Sequence, residues 1–235
     1  MDWTLIKGES FNLPEEESHH VLKVLRGRPG DAFEVVDGAR CLFLAELREG
    51  REAVVVESLG GEPAPGGEVI LYQAVPKGRH MDLVVEKATE LGAAGVVPLV
   101  TEHGVVRLDE RAAKLERWRR ISESAARQSL QLRIPEVPEP VMFEEAVRRV
   151  GATGVILHNA PDLPPLENCL REDEVSLFVG PEGGWSAGEL RIATEAGLMA
   201  AQLGPYRLRS ETAGIIAVAR ARAVLDRSDL GRARS

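Results

Sequence analysis

Cysteine is scarce in this chain of 235 residues: Cys41 and Cys169 stand far apart, with no Cys-x-x-Cys and no histidine at ligand spacing. Neither a disulfide framework nor a zinc site is expected. The histidines are equally scattered, His19 beside His20 and then His80, His103 and His158 in separate segments, so no metal is expected at all. Long apolar runs are missing too, since no stretch approaches the roughly 18 uninterrupted apolar residues of a membrane span. Met1-Asp2-Trp3-Thr4 carries neither a basic nor a long apolar leader region, and a cytosolic protein with no membrane partner is expected. Positive charge is in deficit, the formal net charge being -8. Phosphate chemistry lacks its signatures as well: no Lys-Ser or Lys-Thr follows a glycine loop, and G-x-G-x-x-G is absent.

What is present is a pair of glycine turns in the C-terminal half. Val175, Leu177, Phe178 and Val179 read as a short buried strand that ends abruptly in Gly180-Pro181-Glu182-Gly183-Gly184. Ser186-Ala187-Gly188-Glu189 then has the Ser-x-x-Glu form of a capping box, so the glycines sit on a strand-to-helix turn where a ligand can approach bare backbone. A second turn, Leu203-Gly204-Pro205-Tyr206-Arg207-Leu208-Arg209-Ser210-Glu211-Thr212-Ala213, follows another short apolar run. Ser210 is placed to cap the helix that starts near Glu211, with Arg209 and Glu211 at its mouth. Two such turns suggest one pocket.

The chain organisation predicts two unequal domains. Phe33 to Asp37, Leu42 to Leu44 and Val54 to Val56 read as strands at the short spacing of a small β-barrel, with a turn at Asp37-Gly38. Gly60 to Gly67 reads as a linker. Beyond it, strand candidates at Val69–Val75, Gly95–Leu99, Gly154–His158, Val175–Val179 and Leu198–Leu203 alternate with helical stretches near Met81–Leu91, Glu110–Leu130, Phe143–Val150, Ala187–Ala196 and Glu211–Leu225. That alternation argues for an α/β domain with a parallel sheet.

Four stretches carry a family resemblance. They are His20-Val21-Leu22-Lys23-Val24-Leu25-Arg26 with Gly30-Asp31, then Lys77-Gly78-Arg79-His80-Met81-Asp82 leading to Glu86-Lys87-Ala88-Thr89-Glu90-Leu91-Gly92, and the two glycine turns. Together they resemble the signature of the SPOUT class of methyltransferases, specifically the 16S ribosomal RNA uridine-N3 methyltransferase family. One departure is Arg127-Gln128-Ser129-Leu130-Gln131, where that family usually shows Glu-Gln-Ser followed shortly by an arginine. It bears on RNA contact and the modified position more than on the methyl donor.

The resemblance implies a PUA-like β-barrel that helps hold RNA over residues 1–67, including the linker, and a SPOUT domain with a deep trefoil knot over 68–235. It implies S-adenosylmethionine as cofactor, 16S rRNA of the small ribosomal subunit as substrate, and a homodimer, with Ile215, Ile216, Val218, Ala219 and Leu225 as interface candidates, a spacing that a buried intrachain helix gives equally. Carried over by match, Gly180, Pro181, Glu182, Gly183, Gly184, Leu203, Gly204, Leu208 and Thr212 would line the donor site, with Leu157 and His158 beside them. Arg26, Lys77 and Arg79 would meet RNA. Methyl transfer from a sulfonium needs no covalent nucleophile, only positioning and removal of the uridine N3 proton. Arg209 is the candidate cation beside the uracil oxygens, and Glu211 and Glu182 are the candidate proton acceptors.

An RNA partner calls for a basic footprint. The acidic residues crowd the N-terminal part, whereas Arg107, Arg111, Lys114, Arg117, Arg119, Arg120, Arg127 and Arg133 outnumber Asp109, Glu110, Glu116 and Glu123, and Arg220, Arg222 and Arg227 follow. Most of these read equally as solvated helix faces laced with i,i+4 pairs. Other readings stay open: a SPOUT enzyme acting on transfer RNA or another ribosomal position, a non-catalytic RNA-binding ribosome-assembly factor, and a phosphate-ligand α/β enzyme that the missing phosphate motifs disfavour.

Overall fold

The computed structural model describes residues 4–37, 41–61, 67–104, 111–170 and 174–232. Gly38 of the expected turn, residues 62–66 of the expected linker, and Arg107, Asp109 and Glu110 of the basic segment lie outside the described residues, as do the side chains of Arg111 and Arg227. The chain separates into two compact units, Met1–Ala64 and Pro65–Ser235.

In the first unit, β1 (Ser10–Asn12) leads into α1 (Glu15–His19), which continues as a wider turn over His20–Val24 before β2 (Ala32–Val36), β3 (Cys41–Leu47) and β4 (Glu52–Gly61). The sheet is antiparallel in the order β1-β4-β3-β2. Period-two alternation explains β3, where Phe43, Ala45 and Leu47 are buried and Leu42, Leu44 and Glu46 only partly so. Buried Asp37 takes the place of a turn residue in the expected reading. Its carboxylate accepts the backbone N–H groups of Leu5 at 3.0 Å and Cys41 at 2.9 Å, tying the chain entry to the start of β3. Gly60 and Gly61, expected as linker, instead extend β4 and pair with Leu42 and Cys41. Ladder pairing uses backbone alone, so glycine does not end the strand there.

The second unit runs β5 (Glu68–Ala74), α2 (His80–Glu90), β6 (Gly95–Val100), α3 (Arg111–Gln128), β7 (Val141–Met142), α4 (Phe143–Val150), β8 (Gly154–Leu157), β9 (Glu174–Val179), α5 (Ala187–Glu195), β10 (Met199–Ala201) and α6 (Ser210–Arg232). Its strands form a parallel sheet in the order β10-β8-β9-β5-β6-β7. The pleat sends alternate residues of β5 to opposite cores. Val69 and Leu71 join Val84 and Val85 of α2 and Val218 and Leu225 of α6, while Tyr72 joins Phe143 and Val147 of α4 and Ala193 of α5. A sheet covered on both faces is what the near-continuous apolar runs imply.

Strand order places β5 and β9 side by side although the chain leaves them in opposite directions, toward β6 after β5 and toward β10 after β9. Their C-terminal ends therefore open the crevice at which open α/β sheets bind ligands. Helix α6 returns from the β10 edge to pack on β5, β9 and α2. Val218 and Leu225 are fully committed to that packing, 0% and 1% exposed, which removes them as interface candidates; Ile216 is left outward at 38%.

The basic segment resolves mostly into the solvated-face reading. Arg117 pairs with Asp82, Arg120 with Glu116, Arg127 with Glu123 and Arg133 with Glu68, and Arg119 donates to the Val137 carbonyl. Within Arg127–Gln131, Gln131 donates to the Thr89 and Glu90 carbonyls, so it fastens the chain after α3 to the end of α2.

Candidate active site

The first wall grows out of β9. Gly180 follows Val179 where an added Cβ would stand 3.1 Å from Cε2 of Trp185, tighter than side chains normally pack. That indole cannot yield readily: its Nε1 donates to the Leu157 carbonyl at 2.9 Å, and its ring lies 4.9 Å from that of Phe143. The capping box forms as the spacing predicts, with Glu189 N–H donating to Ser186 Oγ at 3.1 Å and Ser186 N–H to Glu189 Oε2 at 2.8 Å. The other Glu189 oxygen accepts from Glu102 N–H at 2.9 Å, so a buried carboxylate also anchors the turn after β6.

The second wall is the segment between β10 and α6. Arg220 of α6 donates to the Leu203 carbonyl at 2.7 Å and pairs with Glu167, while Gln202 donates its side-chain amide to Leu163 at 2.6 Å. Arg207 bridges the walls by donating to the Glu182 carbonyl at 3.3 Å. The Arg220 hydrogen bonds hold the Glu167 carboxyl below its ordinary range. A depressed carboxyl stabilises the fold above its unfolded pKa and loses that contribution as pH falls through its folded value. Glu167→Gln is expected to lower the melting temperature by a few degrees at most at neutral pH, with the difference from wild type closing below about pH 4; melts across pH 3 to 7 check this, and a constant difference would rule it out.

Between the walls lies an open cavity of about 590 Å³. It brings together Leu157, His158, Gly180, Pro181, Glu182, Gly183, Gly184, Leu203, Gly204, Leu208 and Arg209, all singled out from sequence. Two expected residues are not on its wall. Thr212 is exposed on the first turn of α6, and Glu211 is buried with a carboxylate oxygen 3.6 Å from Nδ1 of His80. Asn159, Trp185, Tyr206, Arg207 and Ala213 line the cavity without having been picked out individually, and Ser210, expected only as a helix cap, lines it too. All but Asn159 lie within or directly beside the glycine turns, so their positions were available even though their contacts were not.

Glu182 has a defined partner, its Oε1 accepting the backbone N–H of Lys77 at 3.0 Å. This bond joins the chain after β5 to the turn after β9, and it leaves Lys77 and Arg79 exposed at that same end of the sheet. Arg26 in the first unit is exposed and held at φ 57°, just past the turn that follows α1. The Arg209 side chain makes no hydrogen bond or ion pair with any of the described residues. Ser210, expected as a helix cap, bonds elsewhere. Its hydroxyl donates to the Gly180 carbonyl at 2.6 Å, and the helix begins with Ala213 N–H donating to the Arg209 carbonyl at 2.8 Å. Among the described residues no group of His, Cys, Asp and Glu could hold a metal ion, and no helix is long and apolar enough to cross a membrane.

Comparison with known proteins resolves the class. The family described as an RNA methyltransferase domain matches residues 62–222, and one described as an RNA methyltransferase PUA domain matches residues 13–57. The chain belongs to the RNA methyltransferase domain family. Relatives of this RNA methyltransferase include ribosomal RNA small subunit methyltransferase E of Synechocystis, 31% identical over 226 residues covering 92% of this chain and 74% of that one. The Mycobacterium tuberculosis protein of the same name is 35% identical over 216 residues, 86% of this chain and 82% of that one. Among solved structures, ribosomal RNA small subunit methyltransferase E of Neisseria gonorrhoeae bound to S-adenosylmethionine superposes with a TM-score of 0.84 at 28% identity, covering 95% of each chain. A Legionella pneumophila methyltransferase with the bound cofactor does so at 0.81 and 31% identity, covering 94% of each. The fold is that of a SPOUT methyltransferase with a PUA-like domain.

Proposed function

We propose that the protein methylates N3 of a uridine in the 16S ribosomal RNA of the small subunit, using S-adenosylmethionine. The observation that carries the reading is the cavity itself: glycine turns from the segments after β9 and β10, apolar side chains of Leu157, Leu203 and Leu208, and no phosphate-binding lysine motif. Those residues fit a cofactor with an adenine, a ribose and a sulfonium but no phosphate. Backbone at Gly180 to Gly184 would meet its polar groups, and the leucines its apolar faces. When bound, the cofactor supplies a methyl group already activated for in-line displacement.

The chain's own residues then orient the uracil and manage its proton. Arg209 places a guanidinium at the mouth of the cavity, where it stabilises the negative charge that spreads over the uracil oxygens as the N3 proton leaves. Glu182 stands on the wall and accepts that proton directly or through water; Glu211, turned to His80, holds the first turn of α6 instead. A base in an RNA helix is reached only after unstacking, at a cost of a few kcal/mol. The PUA-like unit over residues 1–67, with Arg26, and the exposed Lys77 and Arg79 of the knotted catalytic unit over 68–235 grip the RNA in that state. The enzyme acts in the cytosol as a homodimer, with Ile215, Ile216 and Ala219 in the contact.

The test is incubation with methyl-labelled cofactor and, separately, small ribosomal subunits, naked 16S rRNA and bulk tRNA. Label in small-subunit RNA is expected. Label confined to tRNA favours the transfer-RNA reading, and cofactor binding with no transfer favours the assembly-factor reading.

A further inference from the structure

Gln73 is the most conspicuous polar residue that the proposed chemistry leaves unused. It sits on central β5, 0% exposed, with an oxygen, Oε1, that has no hydrogen-bond partner among the described residues. A leucine there would fill the same core without an unpaired oxygen, so packing alone does not account for the amide. Both of its protons are engaged: Nε2 donates to the Ala74 carbonyl at 3.0 Å and to Ser210 Oγ at 2.9 Å. The Ser210 hydroxyl in turn has one proton, and it goes to the Gly180 carbonyl at 2.6 Å. The helix accommodates the amide at Gly214, where an added Cβ would collide with Oε1. Amide, hydroxyl and carbonyl thus form a directed chain in which each donor polarises the next.

The end of that chain matters because of its neighbour. Proline has no N–H, so the peptide linking Gly180 to Pro181 offers hydrogen bonding only through the Gly180 carbonyl. Ser210 therefore fixes the plane of the peptide at which β9 opens into the cavity. Gly180 and Ser210 both line that cavity, from opposite walls, and Arg209 precedes Ser210 directly. We infer that Gln73 and Ser210 are positioning residues for the methyl donor: their hydrogen-bond chain sets the spacing of the two cavity walls and with it the placement of Arg209. The inference rests on the cavity being the S-adenosylmethionine site.

The experiment measures S-adenosylmethionine and S-adenosylhomocysteine affinity by calorimetry, with thermal melts, for wild type, Ser210→Ala, Ser210→Thr and Gln73→Met. Loss of one buried hydrogen bond to a wall should weaken both ligands about tenfold in Ser210→Ala. Ser210→Thr, which keeps the hydroxyl, should bind within about twofold of wild type, a rescue that simple loss of packing does not predict. Gln73→Met keeps volume and should show a smaller loss in the same direction. Affinity unchanged in Ser210→Ala, or a lowered melting temperature with unchanged affinity, overturns the inference. Should Ser210→Ala fail to fold, Gln73→Met decides, unchanged affinity again overturning it. Wild-type protein that takes up neither ligand defeats the functional reading itself and takes the inference with it, whereas wild-type binding matched by Ser210→Ala defeats the inference alone.

Discussion

Arg209→Ala is expected to lower kcat by about 10²- to 10³-fold, the range for removal of one donor to a developing anion, while the dissociation constant for S-adenosylmethionine stays within about twofold. The asymmetry follows from how the residue is held. Its backbone carbonyl accepts the first hydrogen bond of α6 from Ala213 N–H at 2.8 Å, so its Cα is fixed by a helix that packs on the centre of the sheet. Its side chain is exposed at the cavity mouth and engages no described residue, so no internal ion pair competes for it. In the proposed mechanism the guanidinium meets charge that exists mainly in the transition state, so its loss should fall on kcat rather than on cofactor binding. In the proposed reaction the N3 proton leaves during transfer, so the variant's rate should keep rising to a higher pH than the wild type's. Arg209→Lys should recover part of the rate, since a point charge replaces a planar fork. Single-turnover kinetics with calorimetry check this; near-normal turnover in Arg209→Ala with donor binding intact would remove Arg209 from the mechanism.

Phe178→Ala is expected to destabilise the protein by about 3–5 kcal/mol, the usual cost of emptying a large aromatic site in a core. Phe178 is 0% exposed on β9, which has β8 on one side and β5 on the other. Its ring stacks on Tyr72 with centroids 4.5 Å apart and 7° between planes, and Phe143 meets it edge-on at 6.2 Å. Phe143 also lies 4.9 Å from the ring of Trp185, whose Nε1 donates to the Leu157 carbonyl, so the aromatic cluster is tied to the cavity wall. For a unit of this size the loss corresponds to a fall of roughly 10 °C in melting temperature. Phe178→Leu, which leaves most of the volume filled, should cost about 1–2 kcal/mol. Urea titration checks both values; a loss below about 1 kcal/mol for the alanine variant would mean that the site relaxes as no rigid aromatic cluster does.

The features legible in the sequence are those written locally. Alternating strand and helix patterns over Val69 to Leu225 become a parallel α/β unit, and Ser186 with Glu189 forms the box its spacing announces. Both glycine turns meet at one cavity because they follow β9 and β10, parallel strands separated by β8, and the second leads into α6, which packs back on β9 and β5. What escapes a linear reading is set by partners distant along the chain. Ser210 sits where a cap is expected, yet its hydroxyl donates to Gly180, 30 residues away, and accepts from Gln73, 137 away. Val218 and Leu225 share the spacing of an interface stripe and of a core stripe, and only the return of α6 over β5 decides for the core. Thr212 stands next to cavity-lining residues in sequence, but the helical turn carries it to the outside. The short strands β1 and β7 are too brief to show a period and form by pairing at the edges of their sheets.

Methylation of uridine at N3 is tested most directly by digesting small-subunit RNA, taken from the reaction with isotopically labelled S-adenosylmethionine, to nucleosides and separating them by mass spectrometry. Transfer with Arg209 intact should place the label in 3-methyluridine from a single site in 16S rRNA, and Arg209→Ala should abolish most of that peak. Label in a different nucleoside, such as a ribose-methylated or C5-methylated one, would contradict the account.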